Sequence, residues 1–187
     1  VNAGNSIASG GNYNTVVGDE AGTALTTGNQ NVAVGFNALT ADTLGDRNVA
    51  IGVSALEAQN FTSSTDAYNT AVGARAGAAV STGIGNSLIG GLAGDALSDA
   101  DYNVAVGSYA LTADTLGSRS TAIGVSALES QNFTSATDTY NTAVGFAAGG
   151  AITTGVQNTL IGGLAGDALT DGSNNVALGI NALSSDI

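Results

Sequence analysis

Apolar and polar positions follow one recurring pattern along this chain: an Asn, three mostly apolar residues, then a Gly. The five-residue core begins at Asn14, Asn31, Asn48, Asn69, Asn86, Asn103, Ser120, Asn141, Asn158 and Asn175, at intervals of 17 or 21 residues. Four intervals make a larger period of 72, so that "NVAVGSYALTADTLGSRSTAIGVSAL" from Asn103 repeats the segment from Asn31 almost letter for letter. Self-similarity at a short fixed period is the signature of a solenoid, in which each unit buries its apolar side only against its neighbours.

Aligned on the Asn, the fifth position is Gly and the eighth is Ala in all ten units, and the fourth is always Val, Ile or Leu. The apolar positions are adjacent rather than three and four apart, and glycine recurs every few residues, which argues against a helix. The pattern predicts two short strands per unit, "VAVG" and "NALT", joined by a return loop "ADTLGDR". A turn glycine sits near the middle of that loop: Gly28, Gly45, Gly83, Gly117, Gly155 and Gly172. The expected fold is all-β, a parallel β-roll or β-solenoid of about ten short coils forming one domain over residues 1–187. Ten coils stacked about 4.8 Å apart would make a rod of about 48 Å.

Each conserved-looking column then has a structural reading within this one chain. Stacked amides at Asn31, Asn48, Asn69, Asn86, Asn103, Asn141, Asn158 and Asn175 can hydrogen-bond along the rod and cap its turns. The Ala column marks a place where only a methyl group fits. Positions three and four point to opposite faces of a strand, yet both are apolar in every unit, so one apolar rank faces outward and calls for a cover. Another copy of the same rod is the simplest cover.

The units "NTAVG", "NVAVGxxALT" and "STAIGVSAL" resemble the head repeats of bacterial trimeric autotransporter adhesins, whose "AIGxxAxA" coils form a left-handed parallel β-roll joined as a homotrimer. They are similar also to the "NTAVGxxAL" arrays of bacterial surface proteins and phage tail fibres. The resemblance spans about residues 14 to 183. It implies a homotrimeric rod, left-handed coils, and an extracellular place on a cell surface or a virion. This chain departs from the adhesin pattern in its interval of 17 or 21 residues, where the adhesin head has about 14 or 15, and its 187 residues contain no coiled-coil stalk pattern.

Composition narrows the function. The 187 residues include no Cys, His, Lys, Met, Pro or Trp, which removes disulfides, the usual general base and the commonest metal ligand. A formal charge of −12 with only three arginines disfavours nucleic acid and anionic membrane as partners. No apolar run reaches the roughly 20 residues that span a bilayer. The chain opens in mid-repeat without Met, and reads as a mature piece of something longer. A non-enzymatic extracellular fibre module, structural or adhesive, is the expected function, with a phage tail-fibre shaft and an ice- or carbohydrate-binding solenoid as alternatives. No cofactor is expected.

The 21-residue units add four residues at one place, giving "EAQNFTSSTDAY" (57–68) and "ESQNFTSATDTY" (129–140). Loops projecting from a rigid solenoid often carry its binding function. Phe61, Asp66, Tyr68, Phe133, Asp138 and Tyr140 are therefore the contact candidates for a host receptor or glycan, the competing reading being a structural bulge with Phe tucked inward. Asp99, Asp101 and Asp171 are the candidate ligands for a weak Ca2+ site. Thr or Ser at position thirteen, from Thr26 and Thr43 to Thr170, forms a hydroxyl rank that suggests either ice contact or local caps.

Overall fold

The computed structural model describes residues 2–184. Ten three-residue strands form one parallel sheet in chain order, all at positions two to four of their units. They are β1 (Thr15–Val17), β2 (Val32–Val34), β4 (Val49–Ile51), β6 (Thr70–Val72), β7 (Ser87–Ile89), β8 (Val104–Val106), β10 (Thr121–Ile123), β12 (Thr142–Val144), β13 (Thr159–Ile161) and β14 (Val176–Leu178). Register is unbroken through the longer coils: Val34 pairs with Ile51, Ile51 with Val72, and Ile123 with Val144. The four added residues are therefore absorbed away from this sheet. Four two-residue strands, β3 (Gly45–Asp46) with β5 (Thr65–Asp66) and β9 (Gly117–Ser118) with β11 (Thr137–Asp138), tie each 21-residue coil to the coil before it.

The inward strand residue is sealed, and mostly small: Ala33, Ala50, Ala71, Ala105, Ala122 and Ala143 are fully buried, as are the larger Leu88 and Leu160. The eighth-position alanines join them in one continuous core. Larger side chains fill the rest in two alternative ways. Where position nine is Leu (Leu39, Leu56, Leu111, Leu128), that side chain fills the coil. Where it is Gly, position twelve supplies Leu25, Val80, Leu97 or Ile152 instead. A Cβ at Gly94 would come within 2.7 Å of the Leu97 side chain, so a larger residue at position nine and a large one at position twelve exclude one another there.

The segment expected as a second strand is a turn. Residues seven and nine of the units take the left-handed conformation, as at Asn37 (φ 56) and Leu39 (φ 51), and a strand cannot contain such residues in alternation. Each turn stacks on its counterpart, Asn37 N–H donating to Asp19 and Leu39 N–H to Ala55. Left-handed geometry costs a leucine about 1–2 kcal/mol, which burial of its side chain, worth about 1.5–3 kcal/mol, offsets.

Two glycine columns have different causes. Gly35 has φ 136, and a Cβ there would lie 2.5 Å from the Gly52 carbonyl oxygen of the next coil. The return-loop glycines, expected as turn residues, have no positive φ. At Gly28, Gly83 and Gly155 a Cβ would sit 2.2–2.5 Å from a carbonyl oxygen of the next coil, whereas at Gly45 and Gly117 it would meet the carboxylate of Asp42 or Asp114 in the same coil at 2.2 Å.

Candidate functional site

The ladder residues act as clasps. Asn86 shows the pattern: its Nδ2 donates to the Ala100 carbonyl of its own coil at 2.8 Å, and its Oδ1 accepts the Asn103 backbone N–H at 3.0 Å. The side chain thus closes one coil and joins it to the next. Asn31, Asn69, Asn103 and Asn158 repeat both bonds. Asn141 and Asn48 accept from the following Asn in the same way. The last ladder residue, Asn175, donates its N–H to Asn158. Most of these amide bonds run to backbone, with direct amide-to-amide bonds of 3.1–3.3 Å at Asn48, Asn86, Asn158 and Asn175.

Under each inserted segment lies a buried polar pair that the sequence reading did not single out. Position twelve, apolar at Leu25, Val80, Leu97, Ile152 and Leu169, is Asp42 then Gln59, and again Asp114 then Gln131. Gln59 Nε2 donates to Asp42 Oδ2 at 2.7 Å, and Gln131 to Asp114 at 2.6 Å. Asp42 also accepts the N–H groups of Gly45 and Phe61, and Gln59 Oε1 accepts from Asn69. Burial pushes both carboxyls above the usual range, with the hydrogen bonds from Gln and backbone working against the rise. The repeat of Asp–Gln every 72 residues was the available sequence signal.

The inserted segments do not project as free loops. Phe61 and Phe133 are only 6% and 7% exposed, which corrects their assignment as surface contacts. Their backbones are pinned over the preceding coil, Phe61 by Asp42 and Thr43, Phe133 by Asp114 and Thr115. Asp66, Tyr68, Asp138 and Tyr140 are exposed and come together with an arginine from the coil before. Arg47 pairs with Asp66 at 3.2 Å, stacks over the Tyr68 ring at 5.3 Å and donates to the Tyr68 hydroxyl. Arg119 pairs with Asp138 at 3.0 Å and lies 6.0 Å from the Tyr140 ring and 5.2 Å from that of Tyr102. These partners hold both guanidinium groups above their ordinary pKa.

The aspartates considered for a cation are engaged within the rod or stand apart. Asp99 accepts the hydroxyls of Ser81 and Thr82, which draws its pKa down, and Asp101 accepts the Ile84 N–H at 2.8 Å. Asp171 is exposed, and its carboxylate accepts from the adjacent Thr170 at 3.3 Å. Among the described residues no three carboxylates gather in a metal-binding arrangement. The hydroxyl rank is likewise turned to the coils themselves. Thr26, Ser98 and Thr153 donate to carbonyls one coil on at 3.0–3.1 Å.

The outer ranks of the ten-stranded sheet carry no charge: position two is Thr, Val or Ser, and position four Val, Ile or Leu. Val17, Ile51, Ile89, Ile123 and Ile161 are exposed, and Val34, Val72, Val106 and Val144 half-exposed. Phe36, Val53, Val125 and Phe146, two residues further along their units, are exposed apolar side chains as well. No protein-family model, curated protein or solved structure matches the chain.

Proposed function

We propose that this chain is a segment of a non-catalytic extracellular fibre, working without a cofactor, that packs against copies of itself and can present an adhesive edge. The observation that carries this reading is the uncharged rank on the sheet, running about 43 Å over nine coil steps. In a chain with net charge −12, ten successive coils without one charge at positions two and four are best accounted for by a surface that leaves water. Burial there gains about 25 cal/mol per Å² of apolar area. Because every coil offers an uncharged residue at position two and a branched apolar one at position four, the face is suited to copies related by rotation about the rod. The resemblance to trimeric adhesin heads makes three copies the expected number, on a bacterial surface or in a tail-fibre shaft, with a host receptor or glycan as the partner.

Light scattering on the isolated chain tests this. The expected mass is about three times 18.0 kDa, and replacing Ile51, Ile89 and Ile123 by Asp should return it to that of one chain. A soluble monomer before any substitution would remove the basis for self-association.

A further inference from the structure

One column of the rod concentrates chemistry that the fold does not require. The residue just before each ladder position, Asn in nine coils and Ser120 in the tenth, takes the left-handed conformation, with φ between 51 and 68. Gln30, Gly85, Gln157 and Asn174 occupy this position with the same backbone, so the fold accepts small or polar residues there. Yet four of the five tyrosines and two of the three arginines of the whole chain stand in this column: Tyr13, Arg47, Tyr68, Tyr102, Arg119 and Tyr140. The rings are not core residues. Tyr68, Tyr102 and Tyr140 are about half exposed and Tyr13 is 85% exposed.

We propose that this edge binds an uncharged, extended polysaccharide of β-1,4-linked sugars lying parallel to the rod axis. Tyr68, Tyr102 and Tyr140 stand two coils apart, about 9.6 Å, close to the length of one disaccharide in such a chain. The three rings therefore recur at about the step of one disaccharide, each with an arginine of an adjoining coil against it. Between and beside them stand groups that pair with hydroxyls: Asp66 and Asp138 as acceptors, and the N–H groups of Arg47 and Arg119 that their ion pairs leave free. At one end of the column a shallow cleft is lined by Tyr13, Asn29, Gln30, Asp46, Arg47 and Asp66, again an aromatic ring among amides and carboxylates. Arg119, lodged against the Tyr102 and Tyr140 rings, holds them in place before a ligand arrives, which lowers the entropy cost of binding. Charge selects the class of polymer. Each arginine is already matched by an aspartate, and the chain is strongly acidic, so an anionic polysaccharide is repelled and a neutral one is not.

This proposal rests on the adhesive form of the fibre reading and names its ligand. The probes are cellohexaose and chitohexaose in solution, with insoluble cellulose and chitin for retention and alginate as the anionic comparison. The chain has no Trp and four of its five tyrosines stand in the column, so tyrosine fluorescence reports mainly on it. Wild-type chain should bind at least one of the two hexasaccharides and be retained on the matching solid, while ignoring alginate. The triple variant Tyr68→Gln, Tyr102→Gln, Tyr140→Gln installs a residue that the fold already uses in this column, and should lose at least tenfold in affinity with its melting temperature kept. Arg119→Gln should lose less, about threefold. Failure of the wild type to bind either glycan, a triple variant that binds as well as wild type, or preference for alginate overturns the proposal. A trimer by light scattering that binds neither glycan sinks this proposal and leaves the fibre reading intact, and a monomer that binds does the reverse.

Discussion

Ser120 and Thr139 share a hydrogen bond of 2.6 Å in the core of the rod, at the positions held 72 residues earlier by Asn48 and Ala67. Asn48 is long enough to accept the N–H of Asn69 one coil on, at 3.1 Å. Ser120 is too short for that reach, and Thr139 takes the task, its Oγ1 standing 3.4 Å from the Asn141 N–H. Two residues 19 apart thus carry a bond that one amide carries elsewhere.

That exchange predicts a measurable coupling. Asn48→Ser alone should cost about 1–3 kcal/mol by leaving the buried N–H of Asn69 unsatisfied. Ala67→Thr alone should cost about 1–3 kcal/mol by overpacking a sealed site. The double change recreates the Ser120–Thr139 arrangement, and denaturant unfolding of all four proteins should give a favourable interaction energy of at least about 1 kcal/mol. Simple additivity would show that the two positions do not compensate.

The clasp role of the ladder is tested at Asn86. Its truncation to Ala strands the N–H of Asn103 and the carbonyl of Ala100, two buried groups at about 1–3 kcal/mol each. Asn86→Asp keeps the acceptor, loses the donor and brings a charge to a sealed position, and should be no better tolerated. Melting temperatures of both variants near that of the wild type would contradict the assignment.

The inserted segments should behave as core. Phe61→Ser or Phe133→Ser is expected to cost about 3–5 kcal/mol, because a buried ring leaves a cavity that a rigid stack of coils cannot close. Ala110→Leu, in the sealed eighth-position column, should cost about 1–3 kcal/mol from the opposite fault. An unfolding midpoint unmoved by Phe61→Ser would mean that the ring is not packed.

Asp42 and Asp114 predict a direction for pH dependence. Their folded-state pKa lies above the ordinary 3.8 because burial disfavours the charged form. The folded chain therefore holds these two protons more tightly than the unfolded chain does. Their contribution is most favourable below 3.8, falls as pH rises from there through the raised folded value, and is constant beyond it. Replacing both by Asn should flatten this part of a stability profile measured between acid and neutral pH. Asp99 acts in the opposite sense, since its depressed pKa makes acidification below the ordinary range remove stability. Its exposure keeps that contribution small.

The parallel solenoid, its ten coils and the inward and outward ranks of each strand were legible in the sequence because they follow from translation. Identical units stack identically, so the interval between Asn31 and Asn48 sets which residues pair, and two-residue alternation sets which face they take. The Asn, Gly and Ala columns were visible for the same reason. The polar pair Asp42–Gln59 and the tyrosine column were written there too, but as substitutions at positions whose role was not yet known.

What only the tertiary structure decided lies in contacts between one coil and the next. "NALT" has β-compatible composition, and it is a turn because stacked left-handed residues give Asn37 and Leu39 partners in neighbouring coils. Gly28 looks like any turn glycine until the Gly45 oxygen is seen in the space of its missing Cβ. Phe61 reads in the sequence either as a projecting contact or as a tucked ring, and lies inside because Asp42, 19 residues back, holds its backbone against the coil before. A chain determines its own repeat locally, but burial belongs to the pair of coils that share the space between them.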